Sequence, residues 1–254
     1  MSPFLKDTMF EEVRQSTVTQ KIISQIRTAI LKGKLQPGDK LPSEKELVEQ
    51  FQVSKQSLRE AMRALEHIGL IIVKKGIGGG SFIVEVDLEI VKGSLTNYLY
   101  FKNLSIENLS EFRKLIEPYA AAKAADTVTA KQLQELKELN RSAIENLEND
   151  RIYEASQDEF NFHRFIAKQT GNPLLFLILD FVESMLEDFK KLFLPDKAFY
   201  KEVFDFHERI YQAIRDRDAG RASAEMLTHV EQVERELLKL KEGLNIKQIY
   251  MQSA

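Results

Sequence analysis

A chain of 254 residues, 43% hydrophobic and 30% charged, is long enough for one large domain or two smaller ones and has an ordinary globular composition. Its net charge of −3 is uninformative, but residues 1–85 hold 13 Lys and Arg against 10 Asp and Glu, and the remainder 23 against 29, so a mildly basic front precedes an acidic back. The absence of cysteine excludes disulfides and thiolate metal sites and fits a reducing compartment.

The opening MSPFLKDTMF lacks the apolar run of a signal peptide. The first helical pattern is TVTQKIISQIRTAILKG, where Ile22, Ile23, Ile26, Ala29 and Ile30 recur at helical spacing and Gly33 stands as a stop. Pro37-Gly38-Asp39 marks a turn. Ser43 followed by Glu46 is a capping box, so a short helix runs from there to about Phe51. Ser54 caps a second helix whose apolar face is Leu58, Ala61, Met62 and Leu65. Two short helices separated by so few residues have the outline of a helix-turn-helix.

The second of these helices carries a basic stripe, Lys55, Arg59 and Arg63, at i, i+4 and i+8, with Gln56 and Ser57 beside its first turn. A stripe of this kind is ordinarily a solvated face. On the second helix of a helix-turn-helix it suits the major groove, where Arg and Gln read base edges and the helix N-terminus faces phosphate. Two β-rich runs then flank KKGIGGG and predict a hairpin with a glycine-rich tip, from which Lys74 and Lys75 can meet phosphates. A phosphate-cradling P-loop is a poor competitor, since there is no Gly-Lys-Ser/Thr ending and no following helix.

The stretch LPSEKELVEQFQVSKQSLREAMRALEHIGLI, followed by KKGIGGGSFI, resembles the winged helix-turn-helix of the GntR family of bacterial transcription regulators. The resemblance implies contact with a double-stranded DNA operator through Lys45, Ser54, Lys55, Gln56, Ser57, Arg59 and Gly76, to which the wing adds Lys75. Lys45 and Lys55 stand where many relatives carry Arg, which exchanges a bidentate fork for a point charge.

Beyond EVDLEIVKG only helical periodicity remains, over approximately 88–101, 105–127, 130–146, 151–170, 173–193, 196–216 and 219–241. Ser105 and Thr129 are N-caps, the latter with Gln132 as its box partner, and Gly171, Pro173, Gly220 and Gly243 punctuate the ends. Pro118 is expected to kink its helix. The run PLLFLILDFVESML is interrupted by Asp180 and Glu183 and is too short and too charged to span a bilayer. The expectation is a mainly α protein. A winged helix-turn-helix domain occupies residues 1–86, and an all-helical bundle occupies 87–254.

Of the four histidines, His163, His207 and His229 fall on three different helices of the bundle, the last two 22 residues apart. Glu159 precedes His163 by four residues and shares its face, whereas Asp158, five back, points roughly 140° away. Taken singly, each histidine reads as a hydrogen-bonded core or surface residue. Taken together, three imidazoles and a carboxylate make a site for a divalent cation, Zn, Ni or Mn, with open positions. The segments SEFRKLIEPYAAAKAAD, EFNFHRFIAKQTGNPLL and FHERIYQAI resemble the FCD ligand-binding domain of the FadR-type branch of the same family, over most of residues 90–240.

That resemblance implies a metal on His163, His207 and His229. Glu159 stands where the family has Asp, and Asp158 is the alternative. It also implies a small organic acid as effector, met by Arg113 and Asn172, although Arg113 also reads as a structural partner of Glu117 and Asn172 as a cap. The function implied is a cytoplasmic, homodimeric, ligand-responsive regulator, expected to be a repressor rather than an enzyme, with no membrane partner. Two rival readings remain: a metal-dependent enzyme built on the same ligands, and a regulator with a structural metal and an apolar effector, the latter in keeping with 16 phenylalanines.

Overall fold

In the computed structural model, which describes residues 16–100, 102 and 104–241, the chain forms two units divided between Tyr98 and Leu99. The expected stop at Gly243 lies outside the described residues.

The first unit opens with α1 (Ser16–Leu31), whose Ile22 and Ile26 point into a small core with Leu41, Leu47, Leu58, Ala61, Leu65, Ile71 and Ile83. Helix α2 (Glu44–Phe51) starts where the capping box places it. Ser43 Oγ accepts from the Glu46 amide, and Glu46 Oε2 accepts from the Ser43 amide at 2.8 Å. Its end is a left-handed residue, Gln52, with φ 54°. Ser54 then caps α3 (Lys55–His67), accepting from the Ser57 amide at 3.1 Å. Strands β1 (Ile71–Lys74) and β2 (Gly80–Ile83) pair antiparallel from Ile71↔Ile83 to Lys74↔Gly80. Lys40 adds a single bridge to Phe82.

The turn between these strands needs glycine for a steric reason. A Cβ on Gly79 would stand 2.4 Å from the Lys74 carbonyl oxygen, and Gly76 and Gly78 have φ 91° and 80°. Helix α4 (Leu88–Tyr100) follows; its Ile90 comes so close to Gly69 that a side chain there would collide with it.

The second unit is a helical bundle of α5 (Ile106–Thr127), α6 (Ala130–Glu148), α7 (Ile152–Gln169), α8 (Pro173–Phe193), α9 (Lys197–Arg215) and α10 (Ala219–Lys241). Capping boxes at Ser105/Asn108 and Thr129/Gln132 start α5 and α6. Asn172 starts α8, with its Oδ1 accepting from the amides of Leu174 and Leu175. Pro118 lies inside α5, which is one helix from end to end. Gly220 lies within the first turn of α10.

Helix α5 packs along α10, α6 along α7, and α9 against α10 and α6. At the centre, alanines 120, 121, 124 and 125 let α5 approach Phe162, Ile166, Ile210, Ile214, Met226 and Val230 closely. Thirteen polar or charged residues are nevertheless buried among the described residues, and most of them belong to this bundle. Since a buried charge is kept only when paired, their partners locate the site.

Candidate functional site

In the winged unit the sequence-predicted DNA residues lie on α2, at the start and first turns of α3, and on the wing, all exposed except the half-buried Ser57. Lys45 lies exposed on α2 and Ser54 at the cap of α3, where its Oγ meets Ser57 Oγ at 2.9 Å. Lys55 and Arg59 both reach Glu44, at 3.2 Å each, and Gln56 donates to Glu60 at 3.3 Å. Desolvation is the largest single influence on the Glu44 carboxyl and raises it, but the hydrogen bonds and charges of Lys55 and Arg59 together outweigh it and hold Glu44 below its ordinary value. Exposed pairs of this kind are weak and screened, so a phosphate can take either cation. A groove of about 1260 Å³ runs between these helices and the wing, lined among others by Lys40, Arg59, Arg63, Lys75 and Gly80. Lys75 and Gly76 stand at the exposed wing tip.

Lys40 was not singled out in the sequence. It donates to the Gly78 carbonyl at 3.3 Å, and with Lys74 it flanks the Phe82 ring at 5.6 and 5.0 Å, so it ties the wing to the helices. Its place beside the Pro37-Gly38-Asp39 turn was the available signal.

In the bundle, α7, α9 and α10 bring His163, His207 and His229 to one point. His163 Nε2 lies 3.2 Å from the Nε2 of both other rings, and all three are buried. His207 is stacked on Phe162 with ring centroids 4.0 Å apart. Burial, followed by the neighbouring imidazole charge, drives His207 and His229 well below the ordinary histidine value, so both are neutral at pH 7. Their Nδ1 atoms are buried without hydrogen-bond partners among the described residues.

His163 differs, because its Nδ1 lies 2.6 Å from Glu117 Oε2. In the neutral tautomer that donates Nδ1–H to Glu117, His163 would present its Nε2 lone pair to the other two rings. Whichever tautomers the other two adopt, the Nε2 cluster or the buried Nδ1 atoms lack donors or acceptors, and a cation at the three Nε2 atoms would convert opposed lone pairs into ligands.

The carboxylates around this trio are arranged differently from the expectation. Glu159 is fully buried and bonded to Lys190 of α8, and its Oε2 has no hydrogen-bond partner. Asp158 is turned to α6, where it accepts from Ser142 at 2.7 Å and Asn146 at 2.8 Å. Glu117 and Glu183 are the carboxylates that group with His163, with one ligand atom from each lying within 4.8 Å of the others.

Arg113 is buried between these two acids. It hydrogen-bonds Glu117 and lies 2.8 Å from Glu183, so the structural pairing along α5 is present and a second acid is added to it. Burial pushes Glu183 up to about 7 despite Arg113, whereas Arg113 and His163 outweigh burial at Glu117 and hold it well below the carboxylate range. Asn172 spends its Oδ1 on the cap of α8 and is exposed.

Glu183 and Lys190 escaped sequence reasoning as site residues. The signal was the charge at Glu183 within an apolar run, with Lys190 seven residues, about two helical turns, further along the same face.

Comparison with known proteins accords with this two-part layout. Residues 18–80 match the model of bacterial regulatory proteins of the gntR family, and residues 108–232 match the FCD domain. The chain is 33% identical over 210 residues to the HTH-type transcriptional regulator LutR of Bacillus subtilis, an alignment covering 81% of this chain and 94% of that protein. It is 28% identical over 230 residues to the galactonate operon transcriptional repressor of Escherichia coli, covering 87% and 97%. A solved GntR structure from Streptococcus agalactiae superposes with a TM-score of 0.65 at 26% identity, over 86% of this chain and 99% of that one. These relatives are regulators rather than enzymes, and no helix among the described residues is long and apolar enough to cross a membrane. The chain belongs to the GntR family of bacterial regulatory proteins: it is a DNA-binding transcription regulator with a winged helix-turn-helix followed by an FCD domain.

Proposed function

We propose that this regulator binds its operator as a homodimer in the cytoplasm and senses a small organic acid through a divalent cation held by His163, His207 and His229. The observation that carries the reading is the convergence of three Nε2 atoms, each from a different helix, in the buried interior of the bundle, where His207 and His229 are held neutral. Three neutral imidazoles suit Zn, Ni or Mn. Glu117 at 2.6 Å from His163 Nδ1 supplies the outer carboxylate that orients a ligating histidine. When bound, the cation would supply a positive centre able to attract a carboxylate.

The protein's own residues set the rest. Arg113 fixes Glu117 and Glu183 and so holds His163 in one orientation. The helices that carry the trio, α7, α9 and α10, are the ones whose packing an effector would bias, shifting the dimer between DNA-competent and incompetent states. The E. coli relative is named for a galactonate operon, and galactonate is a carboxylate; this supports an acid as the effector class.

Elemental analysis and thermal denaturation test the proposal. Chelation is expected to lower the melting temperature and added metal to restore it, because a ligand at a hundredfold excess over its dissociation constant stabilises by about 2.7 kcal/mol. His207→Ala should abolish that response and leave DNA binding of the metal-free protein nearly intact. Protein that carries no metal and gains none on titration would return the three histidines to a hydrogen-bonding role.

A further inference from the structure

Lys190 of α8 is 2% exposed, and its one hydrogen bond among the described residues is to Glu159, itself 0% exposed. The aromatic rings around the ammonium are Phe160 and Phe199, at 4.9 and 5.6 Å from their centroids. A fold keeps a lysine inside only where an anion holds it. Here the anion is the carboxylate one helical turn before His163, on the same face of α7. That carboxylate is half used, since Glu159 Oε2 is buried with no hydrogen-bond partner. Arg113 is in a different condition, being already engaged by two carboxylates, Glu117 and Glu183.

We propose that Lys190 is a built-in competitor for Glu159, holding it in the metal-free protein and yielding it to a divalent cation at the three histidines, whereupon the freed ammonium becomes the receiver of an effector carboxylate. The inference rests on the metal reading above. An ammonium stripped of the one carboxylate that hydrogen-bonds it among the described residues is costly to leave alone inside the bundle. Lys190 therefore opposes binding of metal by itself, and a carboxylate arriving from the effector removes the opposition. Metal and acid consequently strengthen each other's binding by the same factor, as reciprocity requires. Arg113 keeps a positioning role on Glu117 and Glu183, and Lys190 takes the recognition role.

Calorimetric titration of the full chain with Ni²⁺ alone tests the exchange. Lys190→Met is expected to bind Ni²⁺ about tenfold or more tightly than wild type, and Glu159→Gln more weakly by a similar factor. The double variant should bind no more tightly than Glu159→Gln, because the gain acts through Glu159. In Co²⁺-loaded protein, the visible spectrum should change with Glu159→Gln, as a carboxylate ligand is lost, and stay close to wild type with Lys190→Met. Should Lys190→Met lack native helicity by circular dichroism, Lys190→Gln serves with the same expectations. Unchanged or weakened Ni²⁺ binding in a folded Lys190 variant, or a Co²⁺ spectrum indifferent to Glu159→Gln, overturns the proposal. Failure of His207→Ala to alter Ni²⁺ binding is a separate result and sinks the metal reading itself.

Discussion

Arg59 and Lys75 line the same groove and are expected to behave differently on DNA. Arg59 projects from α3, and if it makes a bidentate contact to a base, Arg59→Ala should cost roughly 1–3 kcal/mol of operator binding. Lys75 stands at the wing, so Lys75→Ala should weaken all sequences alike and reduce the salt slope by about one unit. Anisotropy titrations at several salt concentrations separate the two; operator binding by Arg59→Ala equal to wild type would refute the docking of α3.

In the bundle, acid stability reports the buried charges. The folded-state pKa values of His207 and His229 lie well below the ordinary value, so below about pH 6.5 the unfolded chain binds two protons that the folded one refuses. Glu183, pushed up to about 7, acts oppositely: between about pH 4.5 and 7 the folded form holds a proton that the unfolded form has lost. For metal-free protein the two histidines outweigh Glu183, so stability slopes downward as the pH falls below about 6.5. Glu183→Gln should make that slope steeper and His229→Asn should flatten it, as read from urea melts with chelator present.

At the scale of elements, local chemistry explains where the helices and the wing begin and end. The capping boxes at Ser43/Glu46 and Thr129/Gln132 and the cap at Ser54 satisfy amides that no helical carbonyl reaches. The wing tip is set by backbone space instead. Gly79→Ala places a methyl 2.4 Å from the Lys74 carbonyl, so the turn must open and the Lys74↔Gly80 pair shift. The expected outcome is operator affinity lowered by several-fold, with helical circular dichroism unchanged, since the core of α1, α2 and α3 is untouched. Wild-type affinity in this variant would show that the tip does not touch DNA.

For the molecule as a whole, the question is where the two units part. The change from strand to helix character puts the division after residue 86, whereas contacts group α4 with the winged unit and divide the chain after Tyr98. Fragments beginning at residues 87 and 99 distinguish these. If α4 belongs with the first unit, the fragment from 99 should melt cooperatively and keep the Ni²⁺ response, and α4 in the longer fragment should exchange its amides at once. Slow exchange of α4 in the longer fragment would assign that helix to the bundle.

Much of this architecture was legible in the chain because it depends on near neighbours. The periodicities, the caps and the hairpin glycines are interactions over three or four residues, and the helices lie where those signals put them. The three histidines were likewise visible as a set, by residue type and by their placement on separate helices. Partner choice inside the bundle was not visible. Glu117 and His163 are 46 residues apart, Glu159 and Lys190 are 31 apart, and Arg113 reaches Glu183 from another helix. Whether a carboxylate one turn from a histidine faces the trio or a lysine depends on the rotation and rise of each packed helix. Those are set by how all the side chains of the core fit together, and no local spacing encodes them.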